Sequence, residues 1–116
     1  MTLQHPPRLE SGDADSGVAL EADPPVATVH LFAWSGTHPS RRIRDLTETA
    51  VREGCTTVIF DLTHLPELDV RCVEALVWAT EPHTGWPAVG VLMRGASDEH
   101  RQVLAASGIQ SRISYL

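Results

Sequence analysis

Lysine is absent from the 116-residue chain, and all nine basic residues are arginine, a bias that points to a GC-rich coding sequence more than to a function. Cysteine occurs twice, at Cys55 and Cys72, too few for a disulfide framework, so a reducing cytoplasm is the simplest compartment. No apolar run approaches the roughly 20 residues of a membrane-spanning helix, and no membrane insertion is expected. Met1 to Asp23 lacks an apolar core flanked by positive charge, so no secretory signal is expected there. A basic face is also missing: the formal net charge is -6 and the pI about 5.4, which argues against nucleic acid as a partner. What remains is enough for one globular domain, with 42% hydrophobic and 21% charged residues in 12.6 kDa.

The charge is unevenly placed. Residues 1–25 set one arginine against five acids, a net of -4, whereas residues 26–116 set eight arginines against ten, a net of -2. The stretch Gln4 to Ser16 is rich in Pro, Gly, Ser and Asp and has no periodicity. Residues 1–16 therefore read as a disordered acidic leader, and residues 17–116 as the folded domain.

Two periods alternate through that domain. Gly17 to Ala22 reads as a short strand, turned at Asp23-Pro24-Pro25 into a longer one, Ala27 to Trp34. Ile43, Leu46, Ala50 and Val51 have helical spacing, and Gly54 suits the end of that helix. Thr57 to Leu62 is an apolar, β-branched strand. Asp69 is placed to cap a second helix, with Leu68 and Val73 as a hydrophobic staple and Val70, Val73, Leu76 and Val77 as the buried stripe, until Pro82 stops it. Ala88 to Met93 is a further strand. Ser97 caps a third helix with Asp98 and Glu99 at its positive end, Val103 and Leu104 in its pattern and Gly108 at its close. Arg112 to Leu116 suits an edge strand.

Strands alternating with helices of this length imply βαβ units and a largely parallel sheet. Val58, Phe60 and Leu62 share one side of their strand, while Thr57, Ile59 and Asp61 share the other, so one face is only partly apolar. Right-handed crossovers between neighbouring strands put every helix on the same side. The expectation is a two-layer α/β domain with a mixed sheet of four to five strands and helices mainly on one face.

Chemistry-bearing motifs are scarce. There is no G-x-G-x-x-G, no Walker loop and no G-x-S-x-G elbow, and the six histidines show no metal-ligand spacing, so no cofactor and no metal are expected. His64 and Cys72 flank the loop into the second helix and could approach one another. Cys72 either has a lowered pKa at the helix start or is a small packed residue beneath the staple, the second being the better reading. Phe32 and Trp34 share a strand face with His30 and Thr28, either as a homodimer contact or as cover for that face. No residue is read as catalytic, and a small Cys- or His-dependent enzyme is the weakest of the function classes.

The segment from Thr57 to Leu76 carries the most information. Asp61-Leu62-Thr63 and Leu68-Asp69 before an apolar helix resemble the STAS domain family, the anti-sigma-factor antagonists of bacteria. Val89 to Met93 is similar to that family's next strand, and Ser97 to Ile109 to its last helix, ending in Gly108-Ile109. The resemblance runs from about Val26 to Leu116 and implies a small STAS-like βα superhelix. It also implies a non-catalytic, cytoplasmic regulatory module that binds a kinase-like anti-sigma factor. The alternative it leaves open is a structural subunit of a lipid-transport ATPase or of a stress-signalling complex.

Departures from the family pattern matter as much. In the family's antagonists the residue after the capping Asp is a serine or threonine phosphorylated by the anti-sigma factor. Here that position is Val70, followed by Arg71 and Cys72 in place of serine and glycine. The family's Gly-Glu-Leu-Asp stretch is replaced by Phe32-Ala33-Trp34-Ser35-Gly36, and the nearby hydroxyls Thr63 and Ser35 are read as loop or cap residues. The resemblance thus implies a lost phosphorylation switch. It implies a partner-binding edge of Leu65, Leu68, Asp69, Val70, Arg71 and Glu74. Arg41, Arg42 and Arg44 at the first helix start and Arg71 at the second carry the sign that helix N-termini disfavour, by a few tenths to about 1 kcal/mol each. Arg41, Arg42, Arg44 and Arg71 together form a candidate patch for an anion or an acidic partner.

Overall fold

The computed structural model describes residues 9–10 and 17–116. Among them the elements run β1 (Leu9–Glu10), β2 (Val18–Asp23), β3 (Val26–Phe32), α1 (Ser40–Arg52), β4 (Thr57–His64), α2 (Val70–Thr80), β5 (Gly90–Arg94), α3 (Asp98–Ser107) and β6 (Ile113–Tyr115), with a short 3-10 turn at Gln110–Arg112. The strands form one sheet in sequential order, antiparallel from β1 to β3 and parallel from β3 to β6. Each parallel connection runs through a helix, α1 packs on α2 and α2 on α3, so the helices share one face, as expected.

Sheet register explains the core. Val18 lies opposite Leu31, Leu20 opposite Val29, Val29 opposite Phe60, and Phe60 opposite Met93, a continuous apolar carpet under the helices. Ile43, Leu46 and Ala50 of α1 and Val73, Ala75, Leu76 and Ala79 of α2 close over it, all buried. The other face is mixed. His30 lies opposite Asp61, and Asp61 opposite Arg94, beside Thr28 and Ile59. His30 links strands there: its Nε2 is 2.6 Å from Glu21 Oε1 and its Nδ1 is 2.9 Å from Asp61 Oδ2.

The five strands β2 to β6 are the expected mixed sheet, and Leu9 and Glu10 add a two-residue sixth at its edge by pairing with Glu21 and Leu20. The rest of the leader read as disordered lies outside the described residues. Two expectations, for Val70 and Val103, are corrected. Val70 is not part of the α2 stripe but is 72% exposed. Helical side chains lean toward the N-terminus, so one in the first turn points past the helix end, where no earlier turn covers it. Val103 likewise turns outward at 37% exposure, leaving Leu104 to anchor α3.

The turn from β5 into α3 depends on Gly95, at φ +69°. A Cβ there would overlap the Thr63 side chain and lie 2.9 Å from Thr63 Cα. Thr63 has little freedom to move, because its amide and hydroxyl both donate to Asp61 Oδ1, at 3.0 and 2.6 Å. Gly54, at φ +96° after α1, has open space around it. Gly54→Ala should therefore cost only the left-handed backbone penalty of about 1–2 kcal/mol. Gly95→Ala should cost clearly more in urea denaturation, and equal costs would show that Thr63 yields freely.

Candidate functional site

Asp69 starts α2 in extended conformation, and its Oδ1 accepts from the Cys72 amide at 2.8 Å, as the sequence predicts. The same carboxylate meets a residue that sequence spacing does not single out. His38 Nε2 lies 3.1 Å from Asp69 Oδ1 and 2.9 Å from Oδ2. His38 Nδ1 accepts from the Ser40 amide at 3.0 Å, so in the neutral ring the proton sits on Nε2 and donates to Asp69. Trp34 packs edge-on against His38, ring centres 4.6 Å apart. Arg71 Nη2 donates to Ser40 Oγ at 3.2 Å and closes the link between the two helix starts.

Burial opposes the charged form of Asp69, but the Cys72 amide and His38 outweigh it and hold its carboxyl below the usual range. Burial, and then the charge of Asp69, push the Cys72 thiol up to about 12. Cys72 is a packed residue at 2% exposure, in agreement with the favoured reading. His64 does not approach it. His64 stacks on Phe32 instead, ring centres 5.9 Å apart.

His38, Asp69 and Cys72 bring their ligating atoms within 4.8 Å of one another, close enough to raise a metal site. The hydrogen-bond directions do not fit one. A metal on Nε2 needs that lone pair, and moving the proton to Nδ1 would set it against the Ser40 N–H. The trio is a hydrogen-bonded helix start.

Beside it, α1 and α2 form a groove of about 560 Å³ lined by Ser40, Arg41, Arg44, Arg71, Glu74 and Trp78. Arg44 lies over the Trp78 ring, 5.7 Å from its centre. Asp45 and Glu48 also line it, so the arginines read as an anion patch share the groove with three carboxylates. Arg42 is not among the lining residues. It lies half-buried by a neighbouring hollow with Thr37, His38 and Pro39. Of the expected binding edge, Leu65 and Leu68 are turned into the core, at 5% and 7% exposure, where they seat the loop. Asp69, Val70, Arg71 and Glu74 are the exposed members. Further along α2, Trp78, Trp86 and His83 form an aromatic cluster, and His83 Nε2 donates to the Trp78 carbonyl at 2.7 Å.

No family model matches the chain, and no curated protein sequence matches it. Among solved structures it is similar to the crystal structure of an anti-sigma factor antagonist from Mycobacterium paratuberculosis. The TM-score is 0.64 at 15% identity, over 97% of this chain and 90% of that one. The likeness is one of fold: the chain has the STAS-like α/β architecture. No helix among the described residues is long and apolar enough to cross a membrane.

Asp69 makes acid stability testable. A carboxyl whose folded pKa is depressed contributes stability that is complete above its unfolded value near 3.9 and is lost as pH falls through the folded pKa. Asp69→Asn keeps a good cap but not the charge, so its melting temperature should fall less steeply than the wild type's below about pH 4. Asp69→Ala should lose about 1 kcal/mol at pH 7 as well. Parallel acid limbs for wild type and Asp69→Asn in calorimetry would remove Asp69 from the acid transition.

Proposed function

We propose that this chain is a non-catalytic regulatory module of the bacterial cytoplasm that binds a kinase-like anti-sigma factor across the start of α2, without the phosphorylation switch. One observation carries the reading. Val70 is the first residue of α2, the position where antagonists of this kind hold a phosphorylated hydroxyl, and it is 72% exposed. That aliphatic side chain offers a partner apolar contact, and the groove between α1 and α2 adds Trp78 under Arg44, residue types enriched where partners bind most tightly. The resemblance in the β4–α2 segment and the likeness of fold support the same partner class.

The physics of the switch is local. A phosphate at the first helical position gains from the helix dipole, while its charge of about -2 obstructs a partner seated over that turn. Valine has no hydroxyl to esterify. It keeps the turn apolar, and docking there proceeds in one state only.

Isothermal titration of the full chain with a purified kinase-like anti-sigma factor tests this. Val70→Glu should weaken binding at least tenfold, equivalent to about 1.4 kcal/mol, with an unchanged melting temperature. Arg44→Glu with Arg71→Glu should weaken it in the same direction. In the presence of ATP, Val70→Ser should be phosphorylated at position 70 and wild type should not. Unchanged affinity for Val70→Glu would overturn the docking surface, and stoichiometric phosphorylation of wild type would overturn the lost switch.

A further inference from the structure

The register between β3 and β4 breaks at one place. His30 lies opposite Asp61, but Phe32 lies opposite His64, so Leu62 and Thr63 of β4 stand against the single residue Leu31. Such a bulge shifts by one the alternation of side chains that a strand otherwise keeps. Unbroken alternation from Asp61 would turn His64 toward the core and Leu65 away from it. With the extra residue, His64 stacks on Phe32 and Leu65 is buried. Leu65 seats the β4–α2 loop, so the bulge decides where that loop starts.

The extra residue of a bulge falls out of the ladder, and here Asp61 takes it up. Thr63 donates to Asp61 Oδ1 from its amide at 3.0 Å and from its hydroxyl at 2.6 Å. Oδ2 is turned the other way, 2.9 Å from His30 Nδ1, and His30 Nε2 is 2.6 Å from Glu21 Oε1. Burial opposes the charge of Asp61, but Thr63 and His30 outweigh it and hold the carboxyl below the usual carboxylate range. Strand pairing runs through the backbone and does not call for a buried acid here. The bulge does.

We propose that Asp61 is a positioning residue for the docking edge: from the sheet face away from the helices it fixes the bulge that turns Leu65 inward, and so aims the β4–α2 loop and Val70 after it. His30 keeps the carboxylate turned so that Oδ1 is left to Thr63. The inference rests on the reading that the start of α2 docks a protein, and it adds a residue that the partner need not touch.

Two readouts on the full chain test it: the amide resonances of Leu65 and of Glu67 to Val70, and titration calorimetry with a purified kinase-like anti-sigma factor. Asp61→Ala should move those resonances and weaken binding at least tenfold. Asp61→Asn should leave the resonances in place and the affinity within threefold of wild type, because its oxygen still accepts from Thr63 while its nitrogen donates to the neutral His30 ring. Thr63→Val, which loses one donor of the two, should move the same resonances by less, and it carries the test where Asp61→Ala does not fold. Leu104→Ala, a core truncation in α3, should lower the melting temperature with affinity kept within threefold. Resonances indifferent to both Asp61→Ala and Thr63→Val would overturn the positioning role, and moved resonances with unchanged affinity would overturn its link to docking. An affinity loss in Leu104→Ala as large as in Asp61→Ala would reduce Asp61 to a part in stability. Wild type that binds no anti-sigma factor would sink the docking reading alone, since the resonances judge the bulge by themselves.

Discussion

The Asp69 carboxylate holds together two helix starts that have reason to repel. Each helix N-terminus carries about half a positive charge, and α1 and α2 bring theirs side by side with Arg41, Arg44 and Arg71 added. α1 has no side-chain cap of its own and no acid in its first turn. Its approach is fixed instead from α2, through His38 to Asp69 and through Arg71 to Ser40. One carboxylate thus accepts from an amide on α2 and from a ring on the loop before α1. Asp45, Glu48 and Glu74 add the negative charge that makes the arginine cluster tolerable. Take Asp69 away and both the first turn of α2 and the seating of the Trp34–His38 loop lose their common anchor.

That arrangement also explains how a mixed-charge groove arises from a run that reads as plainly basic. Arg41, Arg42 and Arg44 fall within one turn of α1, so 100° steps spread them around the helix. Arg41 and Arg44, three apart, share the groove, while Arg42 belongs to the neighbouring hollow. Asp45 and Glu48 continue the same side at the next helical steps. Sequence proximity collects like charges, whereas the helix sorts them by face and returns the acids.

The legible parts of the molecule were those decided within a few residues. Asp69 before an apolar run, Ser97 before two acids, and Gly54 and Gly108 after their helices each act through local backbone geometry, and the structure keeps them at their expected stations. The one-sided sheet was legible because alternation along Thr57 to Leu62 is local too. What escaped was long-range or directional. His38 meets Asp69 across 31 residues, and nothing in its own neighbourhood marks it. Val70 has the spacing of a core residue but stands at a helix end, where spacing says nothing about whether a neighbour exists to cover it. Leu65 and Leu68 were placed on the edge by their position in the motif, and their burial shows that the loop is held from beneath.

In the proposed function α2 starts with a valine in place of a phosphorylated hydroxyl, and that start is either a relic or a retained contact surface. The packing argues for retention. Around the exposed valine the start of α2 keeps a buried thiol, a directed imidazole and an arginine paired to the start of α1, which together make a rigid frame. Exposed aliphatic surface on a rigid frame is the combination that stabilises a complex, because nothing need be ordered when the partner arrives. Serine at the same place would be more soluble and switchable, and valine gives up both properties for apolar contact. In the proposed function that exchange favours one outcome, binding that is continuous in time and set by the partner's abundance, so that regulation needs no phosphoacceptor.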